Sequence, residues 1–468
     1  MAFNDLTFLY LFLPLAMMFY FVFPRRFRNV PLVIISLVFY AWGSPVYTLL
    51  LMLSILLNYF AALEIDAHRS EGEKGRAKAA LVLIVSADVL LLGIYKYSGF
   101  LVENINALLN LSLQKPNVSL PLGISFYTFS ALSYVFDVYG ERAPVQKNII
   151  KLAVYVAFFP KVISGPITAY RDMWEQLDYR KTSFPKFGEG LNMFLVGLAK
   201  KVLLADNFGT AFSAISNLEQ MSAGTAWLGM VLYSLQLYFD FSGYSDMAVG
   251  LGKMLGFELG KNFDYPYRAE SVSDFWRRWH ITLGAWFREY IYFPLGGSRC
   301  SRGRGIRNLA IVWLLTGLWH GAAWNFVAWG LWHGFFVILE KYPLRHILKK
   351  FPHWVRVGLT LLEVFLGWVL FFSPSLGDAV VYYGQMLGSD GLGVFDSVFR
   401  YYFFSNLVLL VFAAVGSGPL PKKLHRRLAY QRGDAATYVS VGLYLLLLLL
   451  CTAGIVNSTY SSFLYFQF

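Results

Sequence analysis

The sequence predicts an all-α protein that crosses a membrane many times. Three observations carry that prediction: 57% of the 468 residues are apolar, only 15% are charged, and long apolar runs recur from one end of the chain to the other. A soluble domain of this length does not have that composition.

The apolar runs cover residues 6–23, 46–63, 79–95, 309–339, 357–372, 401–415 and 438–453. Several match the roughly 20 helical residues that a hydrocarbon core of ~30 Å requires. Helix is the form expected, because a backbone facing lipid must satisfy its hydrogen bonds within its own segment. The first run has no basic n-region and no A-x-A cleavage site, and Pro24-Arg25-Arg26-Phe27-Arg28 follows it. It therefore reads as a retained span with a cytoplasmic stop. Cys300 and Cys451 lie far apart in unlike settings, which argues against a disulfide framework or a cysteine metal site.

The net charge of +12 points to topology and not to nucleic acid, since the basic residues sit in short stretches between apolar runs. Basic stretches at 25–28, 68–78, 142–151, 299–307, 341–356 and 422–432 are expected inside. Residues 373–397, with three aspartates and no Lys or Arg, are expected outside. The uncharged C-terminal stretch 455–468 and the N-terminus, which carries only Asp5 before its span, are also expected outside. That gives an even number of crossings, about ten or twelve. No polar stretch is long enough for a soluble domain, so residues 1–468 read as one membrane domain.

Some apolar stretches contain residues a simple span avoids. Residues 158–168 include Pro160, Lys161, Gly165 and Pro166, and residues 197–204 include Lys200 and Lys201. Irregular or charged backbone at membrane depth belongs where protein buries it or a watery cavity meets it. A central cavity or tunnel follows as an expectation. Snorkelling to an interface is the alternative for the two lysines.

The most informative local feature is a repeat. Gly317-Leu318-Trp319-His320-Gly321 recurs thirteen residues later as Gly330-Leu331-Trp332-His333-Gly334. Basic clusters bracket this apolar hairpin, so both its feet are expected at the cytoplasmic face. The rise from Asn308 to His320 is then roughly 18 Å at 1.5 Å per residue, which sinks His320 into the membrane near the turn at 321–325. An ionisable group there is a functional candidate; the alternative for either histidine is a hydrogen bond between packed helices. Neither has metal-ligand spacing, and no metal site is expected.

A second cluster precedes it: Phe275-Trp276-Arg277-Arg278-Trp279-His280-Ile281-Thr282. Its mixture of aromatic and basic residues suits an interfacial or re-entrant helix. Arg277 and Arg278 are suited to lipid phosphates or an anionic ligand such as a phosphorylated nucleotide carrier, or to a plain positive-inside anchor.

With these segments in view, the chain resembles the membrane-bound O-acyltransferases, in the branch of alginate O-acetyltransferases and related polysaccharide acetylation proteins. The resemblance rests on Pro121-Leu122-Gly123-Ile124-Ser125-Phe126-Tyr127, on Phe159-Pro160 with Ser164-Gly165-Pro166, on residues 236–248, and above all on the segments around His280 and His320. It implies a helical fold with re-entrant segments and a central tunnel, where a cytoplasmic acyl thioester meets an acceptor from outside. The family's catalytic histidine falls on His320 and its second polar site residue on His280, forty residues apart. Trp276, Arg277, Arg278, Trp279 and Trp319 would line the substrate site, and Asp240, Tyr244 and Asp246 would shape it. His333 has no catalytic counterpart.

That chemistry suits the residue types. Moving an acyl group from a thioester to a hydroxyl needs a base near neutral pH, and a buried imidazole rests neutral, ready to accept a proton. His320 is the expected base, with His280 orienting the thioester or polarising its carbonyl. There is no G-x-S-x-G elbow and neither cysteine has a histidine nearby in sequence, so no nucleophile of the chain itself is expected.

The expected donor is acetyl-CoA or another acyl thioester, with no bound cofactor. The expected partners are membrane lipid and an extracytoplasmic acetyltransferase or polysaccharide acceptor, with no nucleic acid; the place is the bacterial inner membrane. D-alanyl transfer from a carrier protein to teichoic acid, or a non-enzymatic transporter, are the alternatives. His68, His353 and His425 are expected to be solvated.

Overall fold

The structure is a computed structural model that describes residues 1–344, 346–430 and 434–457. The described residues form helices and turns, without a strand. The chain divides into two compact units, Met1–Phe194 with Tyr244–Gly260, and Leu195–Gly243 with Lys261–Phe468. Two of the three boundaries fall inside helices, so no linker in the sequence marks them.

The first unit holds α1 (Leu13–Val22, preceded by a π turn at Phe8–Phe12), α2 (Asn29–Gly43), α3 (Pro45–Ser70), α4 (Lys74–Leu109), α5 (Ile124–Tyr139), α6 (Ile149–Ala157), α7 (Tyr170–Asp178) and most of α8 (Phe184–Ala199). Helices α3 and α4 are long apolar spans. They carry a polar pair at depth, where Asn58 Nδ2 donates to Asp88 Oδ1 across 3.2 Å. Residues 158–168, the broken stretch, are irregular and buried throughout, as the cost of exposing such backbone to lipid requires. Lys161 Nζ donates to Ser130 Oγ at 3.0 Å and lies 4.1 Å from the centre of the Tyr155 ring.

The second unit holds a π-helical segment (Lys200–Ala205), α9 (Asp206–Ser216), the first two thirds of α10 (Ala223–Met254), α11 (Val272–Arg278), α12 (Ile281–Phe287), α13 (Arg302–His320), α14 (Trp324–Lys341), α15 (His353–Phe372), α16 (Leu376–Met386), α17 (Ser397–Ser405), α18 (Leu407–Gly416), α19 (Leu420–Tyr430) and α20 (Asp434–Asn457). The hairpin expected from the repeat is α13 and α14, with its turn directly after His320.

Glycines let the two arms of that hairpin touch. A Cβ on Gly330 would fall 2.5 Å from the Trp313 carbonyl oxygen and 2.9 Å from Gly317 Cα, both backbone atoms that cannot rotate aside. We expect Gly330→Ala to cost about 1–3 kcal/mol through overpacking, read as a lower melting temperature in detergent. Gly303→Ala, on the same hairpin with nothing within 4 Å of the new methyl, serves as the control. Equal melting of the two variants would refute the close crossing.

By length and composition, four helices among the described residues can cross a membrane, namely α3, α4, α15 and the 438–457 part of α20. A fifth arises if α17 and α18, bent by 55°, form one span. The apolar runs of the sequence do not all pass that test. Several are shorter helices: α2, at 15 residues, rises only roughly 22 Å. The basic stretch 422–432 is mostly helical in α19, not a loop. The uncharged C-terminal stretch lies outside the described residues from position 458 onward.

Candidate active site

His320 closes α13, and the extended backbone of Gly321 ends the helix there. Its ring is 2% exposed and sits among three aromatic rings, with centroids 4.8 Å away for Trp319, 4.7 Å for Trp329 and 5.4 Å for Phe371. All three meet it edge to face, the favoured geometry for such rings.

His280 is equally buried, at 2% exposure, and sits at the N-cap of α12 with φ +43°, a left-handed conformation uncommon for a side chain of this size. Its neighbour in space holds it there. The Ile281 backbone N–H donates to the Asn262 carbonyl at 2.9 Å, and Asn262 Oδ1 accepts from the Thr282 N–H at 3.2 Å and its Oγ1 at 2.9 Å.

The same oxygen lies 3.1 Å from His280 Nδ1. Because Oδ1 is already the acceptor for two donors, Nδ1 must carry the proton, which leaves Nε2 as the accepting nitrogen. Burial pushes this imidazole, which lies outside the candidate spans, well below its ordinary pKa. In that state Nε2 can accept a hydrogen bond, but it cannot donate one to polarise a carbonyl.

The two histidines face the same indole. Trp319 lies 6.0 Å from the His280 ring and 4.8 Å from that of His320. Trp276 and Trp279 belong to the same aromatic cluster, with Trp279 5.0 Å from Trp368, and Trp276 5.6 Å from Trp329. The residues expected on sequence grounds as two histidines and three tryptophans of one site are thus brought together.

The other expected residues have local partners. Arg277 and Arg278 both pair with Asp274 on their own helix, at 3.2 and 2.9 Å. The first is well exposed, and such a surface pair exchanges readily for another anion. Asp240 binds Lys201, whose Nζ lies 2.7 Å from Asp240 Oδ1 and 2.7 Å from Asp206 Oδ1. With its side chain 1% exposed, Lys201 does not snorkel. Tyr244 and Asp246 fall in the first unit, where Tyr244 stacks on Phe3 at 4.8 Å. His333, the second histidine of the repeat, points its Nδ1 to Glu363 Oε1 at 3.0 Å and is wholly buried.

His353, expected to be solvated, is exposed and lies 2.8 Å from Glu270, whereas His68, expected likewise, is partly buried and lies 2.9 Å from Glu73. The side chain of His425 lies outside what the structure describes. Sequence reasoning missed Asn262, Trp329, Glu363 and Phe371. Only Trp329 carried a signal, as the residue four before His333 on a helix face shared with it.

Comparison with known proteins gives a consistent result. The probable alginate O-acetylase AlgI of Pseudomonas putida is 37% identical over the whole of both chains. The peptidoglycan O-acetyltransferase of Helicobacter pylori is 36% identical over 84% of this chain and 81% of its own. The teichoic acid D-alanyltransferase of Bacillus subtilis is 30% identical over 50% of this chain and 62% of its own. Residues 81–384, which contain both histidines and the hairpin, match MBOAT, the membrane-bound O-acyltransferase family. This chain belongs to that family and is a multi-pass membrane acyltransferase.

Proposed function

We propose that the chain moves an acetyl group from a cytoplasmic thioester, acetyl-CoA, toward O-acetylation of a polysaccharide outside the bacterial inner membrane, directly or through an extracytoplasmic acetyltransferase. The observation that carries this reading is the pair of buried imidazoles facing Trp319, in a chain whose relatives over most of its length are named as O-acetyltransferases.

His320 takes the proton of the attacking hydroxyl as its oxygen bonds to the thioester carbonyl carbon. The C–S bond then breaks, and the proton passes from the imidazolium to the departing sulfur. His280, locked by Asn262 with Nε2 as acceptor, orients an N–H or O–H of donor or acceptor; this replaces carbonyl polarisation as its role. Because the ring of His320 is 2% exposed, a reaction there needs the surrounding aromatic side chains to swing aside and open a passage.

Membranes carrying the protein, supplied with radiolabelled acetyl-CoA, are expected to transfer label to surface polysaccharide or to a partner protein. Label moving only from a D-alanyl carrier protein would favour the more distant relative's reaction. Failure of the purified, folded protein to cleave either thioester would favour a transporter.

A further inference from the structure

A cleft of about 560 Å³ lies in the second unit, and neither histidine lines it. Leu235 of α10, Leu361 and Phe365 of α15 and Val415 of α18 form its apolar wall. Its polar lining is of another kind. Arg268 and Lys423 contribute two cations, and the lining includes no carboxylate. Among the described residues neither cation is ion-paired. The Ser417 hydroxyl, in the same lining, is buried and has no hydrogen-bond partner among the described residues. Arg268 lies over Gly418, where an added methyl would stand 4.0 Å from its Nη1. Buried hydroxyls are ordinarily satisfied, so an unsatisfied one beside two cations calls for a ligand.

The position of the cleft says which ligand. Glu270, two residues beyond Arg268, pairs with His353 at 2.8 Å and with Arg356 at 2.6 Å. The segment that carries Arg268 is thus tied through Glu270 to the basic foot of α15, the end that the charge pattern places at the cytoplasmic face. Leu361 and Phe365 rise from that foot by roughly 12 and 18 Å at 1.5 Å per residue, into the depth of an acyl chain. Basic pockets between spanning helices on the cytoplasmic side are suited to anionic lipid headgroups.

We propose that this cleft holds one anionic phospholipid. Its phosphate is bound by Arg268, Lys423 and Ser417, and one acyl chain lies along Leu235, Leu361, Phe365 and Val415. A free phosphate would use the cations and leave the apolar wall without a partner.

The test is native mass spectrometry of the full chain purified in detergent and equilibrated with mixed micelles containing equal amounts of phosphatidylglycerol and phosphatidylcholine. One phosphatidylglycerol is expected to be retained in preference. Arg268→Gln with Lys423→Gln should weaken that retention about 30-fold, at about a fivefold effect per basic residue. Val415→Trp, which fills the cleft without changing charge, should weaken it too and gives the same reading if the double variant does not fold. Equal retention of the two lipids, or undiminished phosphatidylglycerol in these variants, would overturn the proposal. So would its displacement by millimolar inorganic phosphate or by coenzyme A, since either would make the cleft a site for a soluble anion.

Discussion

His320→Ala is expected to lower acetyl transfer about 10²- to 10⁴-fold, the range lost with a positioned general base, while the protein still inserts and purifies as a folded species. The substitution also leaves a hole among Trp319, Trp329 and Phe371, the rings that pack on the imidazole. Some stability is lost with it, on the order of a few kcal/mol for a buried ring. Activity and melting temperature must therefore be measured on the same preparation. His320→Gln separates the two effects, because an amide fills much of the space yet has no useful basicity. We expect His320→Gln to recover most of the lost stability and none of the lost rate. If it recovers the rate, the imidazole is a packing element and the base lies elsewhere.

What the sequence made legible, and what it hid, follows from the range of the interactions. The α13–α14 hairpin was readable because its signals are local: a repeated Gly-Leu-Trp-His-Gly, basic clusters on both flanks, and a small-residue turn. The two histidines were readable as a pair only through family resemblance, since nothing in a forty-residue interval announces that their rings will meet one indole. Asn262 stayed hidden because it lies in an ordinary polar connection. Its role appears only when the backbone of 262–264 hydrogen-bonds to that of 278–281.

Glu363 was masked differently. It sits in the middle of an apolar run that reads as a span, and only the approach of α14 supplies the His333 partner that makes a buried carboxylate tolerable there. Apolar runs do not by themselves count crossings, for a related reason. Apolar runs record burial, and burial in protein reads in a sequence much as burial in lipid does.

Lys201 gives the second large expected effect, and it follows from counting charges. One ammonium lies between two carboxylates, 2.7 Å from each, with the Lys201 and Asp240 side chains 1% and 2% exposed and that of Asp206 10%. Removing the cation takes away the ammonium that both buried carboxylates touch. Breaking a buried pair from one side costs about 3–5 kcal/mol, so Lys201→Met is expected to melt far below the parent in detergent or to accumulate poorly in membranes. Asp206→Asn removes one of two anions and leaves a balanced Lys201–Asp240 pair, so its cost is expected to stay near or below about 1 kcal/mol, the worth of one hydrogen bond. The asymmetry is the test. If both variants are equally damaged, the cluster is held by packing and not by charge, and the place of Asp240 in shaping the site must be sought in something other than its bond to Lys201. If the asymmetry holds, the π-helical segment that carries Lys201 is fixed to α10 through that carboxylate. Asp240→Asn should then disturb the fold of this segment before it disturbs any substrate.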